Sequence, residues 1–324
     1  MSTQADTATD IAIIGDRFML SDMFEAALLE ACGARVACRK LDLPWPDEPM
    51  EHGYAAPGMD GLKEYMGDPD AVVAHVGAAP VLVTHLAPLS AAMFDRMPAL
   101  RLVAVSRGGP VNIDMAAARA RCVTVVNTQG RNASAVAEFA IGAILAQTRN
   151  ITAGHDALRR GDWRGDLYRA DVTGEELSEL VVGVIGYGAI GTRVVRLLRA
   201  FGARVLVADP YVQLSAADAA DGVRLVDRDT LLAEADVVTL HARVTEETTG
   251  FLDANAFARM KRGAMLETFA VEPAPPDERL LRLPNVTLTP HIAGASLKTV
   301  KIAARNAAGE VRRHLCGEPP LNPC

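Results

Sequence analysis

Three glycines near the middle of the chain, Gly186, Gly188 and Gly191, constrain the fold more than any other feature of the sequence. They form a Gly-x-Gly-x-x-Gly motif that directly follows the apolar run 180–185 and begins a stretch with helical spacing of apolar residues. In such a unit the first glycine allows a tight turn, the second lets a phosphate approach the backbone, and the third lets helix and strand pack closely. The helix N-terminus adds unpaired N–H groups and a positive dipole end. The motif therefore predicts a Rossmann-type dinucleotide-binding domain.

A carboxylate, Asp209, ends the next predicted strand, 18 residues after Gly191. At that position it accepts hydrogen bonds from the adenine ribose of NAD and repels the 2′-phosphate of NADP. One like-charge pair at ~4 Å in an effective dielectric of ~20 is worth ~4 kcal/mol before screening, about a thousandfold in affinity. We therefore expect NAD as the cofactor. The alternative is a sheet that binds no nucleotide, with Asp209 as a solvated strand end.

Short apolar runs alternate with helical stretches along the chain, which is typical of parallel α/β sheets. Strands are predicted at residues 11–15, 81–84, 102–106, 180–185, 205–209, 237–240 and 286–289. Helices are predicted at residues 22–32, 132–150 and 296–315, and the stretch 43–69, which carries many Pro and Gly, is predicted to be irregular. A chain of 324 residues is long enough for two domains.

Composition and charge exclude several kinds of partner. The net charge of −7 gives no electrostatic reason to bind nucleic acid or an anionic membrane. No run approaches the roughly 18 apolar residues of a membrane span, and residues 1–6 are too polar for a signal peptide. The five cysteines lack CxxC spacing, as expected of reduced thiols. We expect a cytoplasmic protein without a metal site, whose partner is a small molecule.

Two short segments near the C-terminus supply a candidate acid/base pair, Glu272 and His291. His291 follows a predicted strand, and ligands of open parallel sheets gather beyond the carboxyl ends of strands. Hydride delivery to a 2-oxo acid leaves an oxyanion that an imidazolium can protonate, and a neighbouring carboxylate favours the charged ring. The alternative for His291 is a structural histidine, but its pairing with a dinucleotide fold favours the catalytic interpretation.

Five segments in this order resemble the D-isomer-specific 2-hydroxyacid dehydrogenase family, which includes phosphoglycerate, glycerate/hydroxypyruvate and D-lactate dehydrogenases. The resemblance extends from about Val81 to Leu315. It is carried by the glycine motif and by the segments Ser-Arg-Gly-Gly-Pro-Val-Asn-Ile-Asp (106–114), Asn-Ala-Ser-Ala-Val-Ala-Glu (132–138), Gly-Asp-Trp (161–163) and Thr-Pro-His-Ile-Ala-Gly (289–294). No one segment is sufficient, but together they make the resemblance specific.

The resemblance implies roles for individual residues. His291 would donate and accept the proton, with Glu272 as its partner. The turn formed by Arg107, Gly108 and Gly109 would bind the substrate carboxylate through backbone N–H groups, although Arg107 can equally be a solvated loop residue. The implied cofactor-binding residues are Gly186, Tyr187, Gly188, Ala189, Ile190, Gly191, Asp209, His241, Glu267 and Gly294. For His241, lining the nicotinamide pocket and capping a strand both remain open.

The resemblance also implies a discontinuous division into two α/β domains. The fold expected is a Rossmann-type doubly wound parallel sheet inserted in a second, flavodoxin-like α/β domain. Residues 1–107 and 297–324 would form the substrate-side domain, and residues 108–296 the NAD-binding domain. The active site would then be a cleft that closes around the substrate. A homodimer is expected, with the small residues of the helix at 132–150 as a candidate contact.

The sequence departs from the family at one place. Family members carry a substrate-binding arginine in an Asn-Thr-Ala-Arg-Gly segment, whereas here Gly263 and Ala264 continue directly into residues 265–273, so a strand, the arginine loop and a helix are missing. Arg259 and Arg262 precede the strand and lie at its wrong end, which leaves Arg243 as a weak candidate. Glu267 stands where the family usually has aspartate.

Two hypotheses follow from this departure. An intact active site would make the protein an NAD-dependent enzyme acting on a small 2-hydroxy or 2-oxo acid. With the arginine segment absent, we expect NAD(H) binding with weak or no turnover, as in a redox sensor or a partner-binding protein. Retention of Glu272 and His291 favours the enzyme. The identity of the acid depends on loops of the first domain, where the resemblance to the family is weakest, so the sequence does not predict it.

Overall fold

The computed structural model describes residues 8–45, 59, 61–243, 245, 247–267, 287 and 289–324, with the backbone alone at positions 266 and 267. The chain divides into two compact units. Unit 1 contains Met1–Arg131 and Ala295–Cys324, and unit 2 contains Asn132–Gly294. No helix among these described residues is both long enough and apolar enough to span a membrane.

The strands and helices alternate along the chain. The strands are β1 (Thr9–Gly15), β2 (Val36–Asp42), β3 (Val81–Thr84), β4 (Leu102–Val105), β5 (Thr124–Val126), β6 (Val181–Ile185), β7 (Arg204–Ala208), β8 (Arg224–Leu225), β9 (Val237–Leu240) and β10 (Met265–Glu267). The helices are α1 (Ser21–Cys32), α2 (Pro69–Val76), α3 (Ala91–Asp95), α4 (Met115–Ala120), α5 (Ala133–Thr148), α6 (Ile151–Arg159), α7 (Gly191–Ala200), α8 (Ala216–Ala220), α9 (Arg228–Glu234), α10 (Ala254–Arg259) and α11 (Leu297–Leu315).

Unit 1 is built on a parallel sheet with the order β2-β1-β3-β4-β5, the flavodoxin-like order. Its central strands are apolar on both faces, as parallel strands covered by helices require. The core on one face includes residues of α2, α3 and α4, and the core on the other includes residues of α1 and α11. The alanines of α11 are nearly fully buried there, namely Ala303, Ala304, Ala307 and Ala308.

Unit 2 is built on a second parallel sheet with the order β10-β9-β6-β7-β8. Since β6 is its first strand in sequence, this is the Rossmann arrangement, with β7 and β8 on one side of β6 and β9 and β10 on the other. Helices α5 and α7 contribute to the core on one face, and α9 and α10 to the core on the other. The predicted fold class is therefore confirmed, whereas the subunit contact on α5 stays a prediction.

The first boundary between the units differs from the predicted one at 107/108 and falls after Arg131. The reason is β5, which the sequence analysis did not identify: it pairs in parallel with β4, with Leu102 opposite Thr124, and so holds this stretch in unit 1. The second boundary falls at 294/295 and not at 296/297. Strands β2 and β8 were also not predicted, and most of the predicted strand at 286–289 lies outside the described residues.

Candidate active site

The glycine motif forms a turn between β6 and α7 in which each glycine has a different environment. Gly186 has φ 93°, and a Cβ atom there would lie 2.6 Å from the backbone nitrogen of Ala242. A Cβ atom on Gly191 would lie 2.0 Å from the carbonyl oxygen of Gly186, so no side chain fits. By contrast, a Cβ atom on Gly188 would meet no atom within 4 Å. The turn is therefore closed at its two ends and open at Gly188.

The open part of the turn also presents hydrogen-bond donors. Within the described part of the chain, the backbone N–H groups of Gly188, Ala189 and Ile190 have no acceptor. These groups precede α7, so they combine with its positive dipole end to form a site for a phosphate. Open space beside unpaired donors is the arrangement that a dinucleotide pyrophosphate requires. These residues therefore fit the predicted cofactor.

Asp209 lies at the carboxyl end of β7, next to this turn. Its Oδ2 accepts a hydrogen bond from the backbone N–H of Tyr187 at 2.8 Å, and its Oδ1 accepts one from the N–H of Tyr211 at 3.0 Å. The Tyr187 side chain is buried, and its hydroxyl donates to Asp218. Tyr187 therefore contributes its backbone to the glycine turn, while its side chain points into the protein. Its N–H group orients the Asp209 carboxylate beside the turn.

His241 follows β9, and its backbone passes 2.7 Å from the position that a Gly186 Cβ would occupy. Its backbone N–H donates to the carbonyl of Ile185 at 2.7 Å, and its Nε2 lies 2.9 Å from Thr239 Oγ1. Burial lowers the pKa of the His241 imidazole to about 4, so the ring is neutral at physiological pH. The close approach of the His241 backbone to Gly186 is consistent with a place in the nicotinamide pocket. The contact between its ring and Thr239 of β9 is consistent with a strand cap, so both interpretations stay open.

The predicted acid/base residues are only partly described. His291 is exposed, in a turn in which the N–H of Ile292 donates to the carbonyl of Pro290 at 2.7 Å. A Cβ atom on Gly294 would lie 2.7 Å from the Asn132 amide nitrogen, so the Asn132 side chain would have to shift. Glu272 lies outside the described residues, and Glu267 is described by its backbone alone, as the last residue of β10.

The predicted substrate-binding turn lies in unit 1, after β4. Arg107 is not a solvated loop residue: its side chain is 13% exposed, and its guanidinium forms an ion pair with Glu64 and donates to the Glu64 carbonyl at 3.2 Å. A Cβ atom at Gly108 or Gly109 would meet nothing within 4 Å. The ion pair fixes the turn, and the two glycines leave space beside its backbone for a ligand.

A charged cluster at the same edge of the unit 1 sheet was missed by the sequence analysis. Asp16 directly follows β1, His85 directly follows β3, and Arg131 lies shortly after β5. Neither His85 nor Arg131 was among the site residues predicted from the sequence. Their positions at the ends of strands were the available signal, but it depended on β5, which the sequence pattern did not reveal.

Strand β10 shows what the missing segment does to the sheet of unit 2. Residues 265–267, which follow the gap in the family pattern, pair in parallel with β9, with Met265 opposite Val237. The connection between these strands contains α10, as a parallel crossover requires. The residues that follow the gap therefore form β10 beside β9, and Glu267 is the last residue of β10.

A family model confirms the class of protein that this fold and turn define. Residues 141–266 match the model described as "D-isomer specific 2-hydroxyacid dehydrogenase, NAD binding domain". The chain is 36% identical to YoaD of Bacillus subtilis (strain 168), which is named as a 2-hydroxyacid dehydrogenase; the match covers 67% of this chain and 71% of YoaD. The chain therefore belongs to the D-isomer-specific 2-hydroxyacid dehydrogenase family, and its cofactor is NAD.

Other relatives and solved structures agree with this assignment. The glyoxylate reductase of Korarchaeum cryptofilum is 32% identical, over 87% of this chain and 89% of that enzyme. The D-3-phosphoglycerate dehydrogenase of Mycobacterium tuberculosis is 34% identical over 78% of this chain, which spans 52% of that enzyme. The structure of D-2-hydroxyisocaproate dehydrogenase superposes with a TM-score of 0.79 at 21% identity, over 98% of this chain and 99% of that chain, which shows the shared fold.

Two of these alignments extend over more positions than this chain fills with residues. The alignment with the glyoxylate reductase extends over 311 positions but uses 87% of the 324 residues, about 282, so about 29 positions have no residue of this chain. With the mycobacterial enzyme, 281 positions use 78%, about 253, which leaves about 28. The family model match ends at Leu266, inside β10.

Proposed function

We propose that the chain is an NAD-dependent oxidoreductase of small 2-hydroxy and 2-oxo acids in which His291 moves the proton. The observation that carries this proposal is the glycine turn, where unpaired N–H groups and open space lie beside the oriented carboxylate of Asp209. NAD, when bound, carries the hydride. The protein's part is to hold the cofactor, orient the acid and move one proton.

The residues of the chain divide this work. The N–H groups at 188–190 and the Asp209 carboxylate hold the two ends of the adenosine diphosphate part of the cofactor. The backbone of Gly108 and Gly109 has space for the substrate carboxylate. A protonated His291 imidazole donates its proton to the oxyanion formed in reduction, and the neutral ring removes the hydroxyl proton in oxidation.

The missing arginine segment sets the expected rate. Removal of one preorganised donor from a developing oxyanion typically costs ~10²–10³ in rate. The loss here also removes an anchor for the substrate carboxylate. We therefore propose an enzyme whose turnover is low compared with that of its relatives, while its NAD(H) affinity is of the ordinary kind.

The same feature favours a second candidate, an NAD(H)-binding protein without turnover that senses redox state or binds a partner. Pairing of β10 with β9 gives a continuous sheet in the described part of unit 2, so cofactor binding does not require the missing segment. Binding and orientation of the substrate depend on the missing segment far more than cofactor binding does. The two candidates thus share the cofactor site and differ in catalysis.

Two measurements on one preparation separate the candidates. NADH binding is measured by fluorescence titration, and turnover by loss of NADH absorbance with glyoxylate, hydroxypyruvate and phosphohydroxypyruvate. Intact mass establishes that the protein assayed is the 324-residue chain. Binding with slow turnover supports the enzyme, binding without turnover supports the second candidate, and absence of NADH binding contradicts both.

A segment graft tests the cause of low turnover. Insertion after Ala264 of the corresponding segment of the glyoxylate reductase restores the arginine loop between two strands. We expect turnover to rise by ~10²–10³ if the missing arginine limits the rate. The matched control is the same graft with its arginine replaced by methionine, which restores the fold alone.

A further inference from the structure

The strand ends of unit 1 bring together four residues that the proposed mechanism does not use, Asp16, Phe18, His85 and Arg131, here called the Arg131 cluster. Asp16 follows β1 and His85 follows β3, the two strands between which the order β2-β1-β3-β4-β5 changes direction. In flavodoxin-like sheets this switch point, at the carboxyl ends of the strands, is where ligands bind. The cluster therefore lies where this sheet has a binding position.

Asp16 and His85 form the fixed base of the cluster. The Asp16 carboxylate is fully buried; Oδ1 accepts the N–H groups of Phe18 and Met19, each at 2.8 Å, and Oδ2 lies 2.7 Å from His85 Nδ1. Because a carboxylate only accepts, the His85 proton is on Nδ1, and the neutral ring presents Nε2 as an acceptor. Burial lowers the pKa of His85 against the opposing effect of Asp16.

Arg131 is oriented by this base. Its Nη2 lies 3.5 Å from His85 Nε2, and the centre of its guanidinium lies 5.9 Å from the centre of the Phe18 ring. Burial, together with the nearby charge of Arg107, lowers the pKa of Arg131 to about 10, so the group remains charged at neutral pH. Asp16, His85 and Phe18 thus hold a cation in one place.

The guanidinium of Arg131 is incompletely satisfied. Its Nε and Nη1 atoms are buried and have no acceptor among the described residues, which leaves three N–H donors without a partner. Arg107 differs, because Glu64 supplies it with both a carboxylate and a carbonyl. A buried charged donor without an acceptor is unfavourable, so its presence in a folded protein requires an explanation.

We infer that Arg131 binds a carboxylate of the acid substrate and supplies the guanidinium that the missing segment does not. This inference rests on the proposed function and names the side chain that orients the acid. A carboxylate matches the guanidinium in charge and geometry, and it satisfies the donors that Arg131 leaves open. Arg131 lies in unit 1 with the Arg107–Gly109 turn, and their hydrogen bonds to His85 and Glu64, respectively, hold both at the carboxyl edge of one sheet.

The test is binding of oxalate to the full chain, with and without NADH, by isothermal titration calorimetry. We expect Arg131→Met to raise the Kd for oxalate about 10- to 100-fold, since a hydrogen bond to a charged group is involved. Arg131→Lys, which keeps the charge but loses the planar fork, is expected to lie between the two. Arg121→Met removes an arginine paired with Asp95 on the surface of unit 1 and serves as the matched control. Inorganic phosphate in place of oxalate tells a carboxylate site from a general anion site.

Stability supplies the second readout. Without anion, Arg131→Met is expected to melt no lower than the wild type, because it removes an unsatisfied charge, and oxalate is expected to raise only the wild-type Tm. A lower Tm for the variant without anion, or equal oxalate affinity in the wild type and variant, overturns the inference. Each outcome is distinct from failure of the proposed function, which is reported by NADH binding and by turnover. Oxalate binding that depends on Arg131 without any turnover supports the inference and contradicts the enzyme.

Discussion

The carboxylate of Asp209, at the end of β7, accepts a hydrogen bond from the backbone N–H of Tyr187 in the glycine turn, at 2.8 Å. This bond joins two consecutive parts of the Rossmann unit, the turn before α7 and the strand after it. Oδ2 accepts this hydrogen bond and Oδ1 accepts one from the N–H of Tyr211, so the orientation of the carboxylate is fixed. The negative charge is therefore held at the place where the adenine ribose is expected.

Neutralisation of this charge is expected to relax the preference for NAD. Asp209→Asn keeps a hydrogen-bond acceptor but removes the repulsion of a 2′-phosphate, which is worth at most ~4 kcal/mol before screening. We expect the Kd for NADPH to fall by at least about tenfold, with a smaller change for NADH, in a fluorescence titration. Asp221→Asn, a half-exposed carboxylate paired with Arg199 in the same unit, is the control. An unchanged NADPH affinity would contradict the role of Asp209.

The glycines of the turn make a matched pair for separating binding from folding. Gly188→Ala adds a methyl group in open space, so we expect an unchanged free energy of unfolding but an NADH Kd at least about tenfold higher. Gly191→Ala places a methyl group 2.0 Å from the Gly186 carbonyl oxygen and is expected to cost 1–3 kcal/mol or more in stability. Urea unfolding and NADH titration measure the two effects. Equal destabilisation by both variants would show that Gly188 has a structural role.

Loss of the imidazole at position 291 is expected to remove turnover and leave the cofactor bound. His291→Asn should lower kcat by ~10²–10⁴, the usual contribution of a positioned acid or base, with an NADH Kd within about twofold of the wild type. His155→Gln, at an exposed histidine of α6, is the control. A variant that keeps its rate would assign the proton to another group, and a large loss of NADH affinity would point to a structural role.

The partly buried ring of His241 is expected to make unit 2 sensitive to acid. Its pKa of about 4 lies below the ordinary value of 6.5, so between these pH values the unfolded chain binds a proton that the folded chain does not. Its contribution to stability is complete above pH 6.5 and is lost as the pH falls towards 4. We expect His241→Gln to reduce the loss of unfolding free energy between pH 7.5 and pH 5 by about 2 kcal/mol. An identical loss in wild type and variant would exclude this linkage.

The strands that were predicted are those with a strong local pattern. Strands β3 and β9 match their predicted bounds, because each is a short, mostly apolar run that is buried along nearly its whole length. Strands β2, β5 and β8 were missed because they are short or carry exposed polar residues, and parallel pairing with a distant neighbour defines them. Because β5 was not predicted, the predicted boundary between the units was displaced, and the position of Arg131 after a strand end was not recognised.

The sequence by itself determined the cofactor site, because the glycine spacing, the following helix and the strand-end carboxylate act within about 30 residues of chain. The family and the missing arginine segment were likewise readable from ordered motifs. Only the tertiary structure brought Asp16, His85 and Arg131 together, and only it showed that Arg107 is already paired with Glu64. The physical reason is that a local motif carries its own geometry, whereas the partners of a buried charge are set by which strand ends meet at one edge of a sheet.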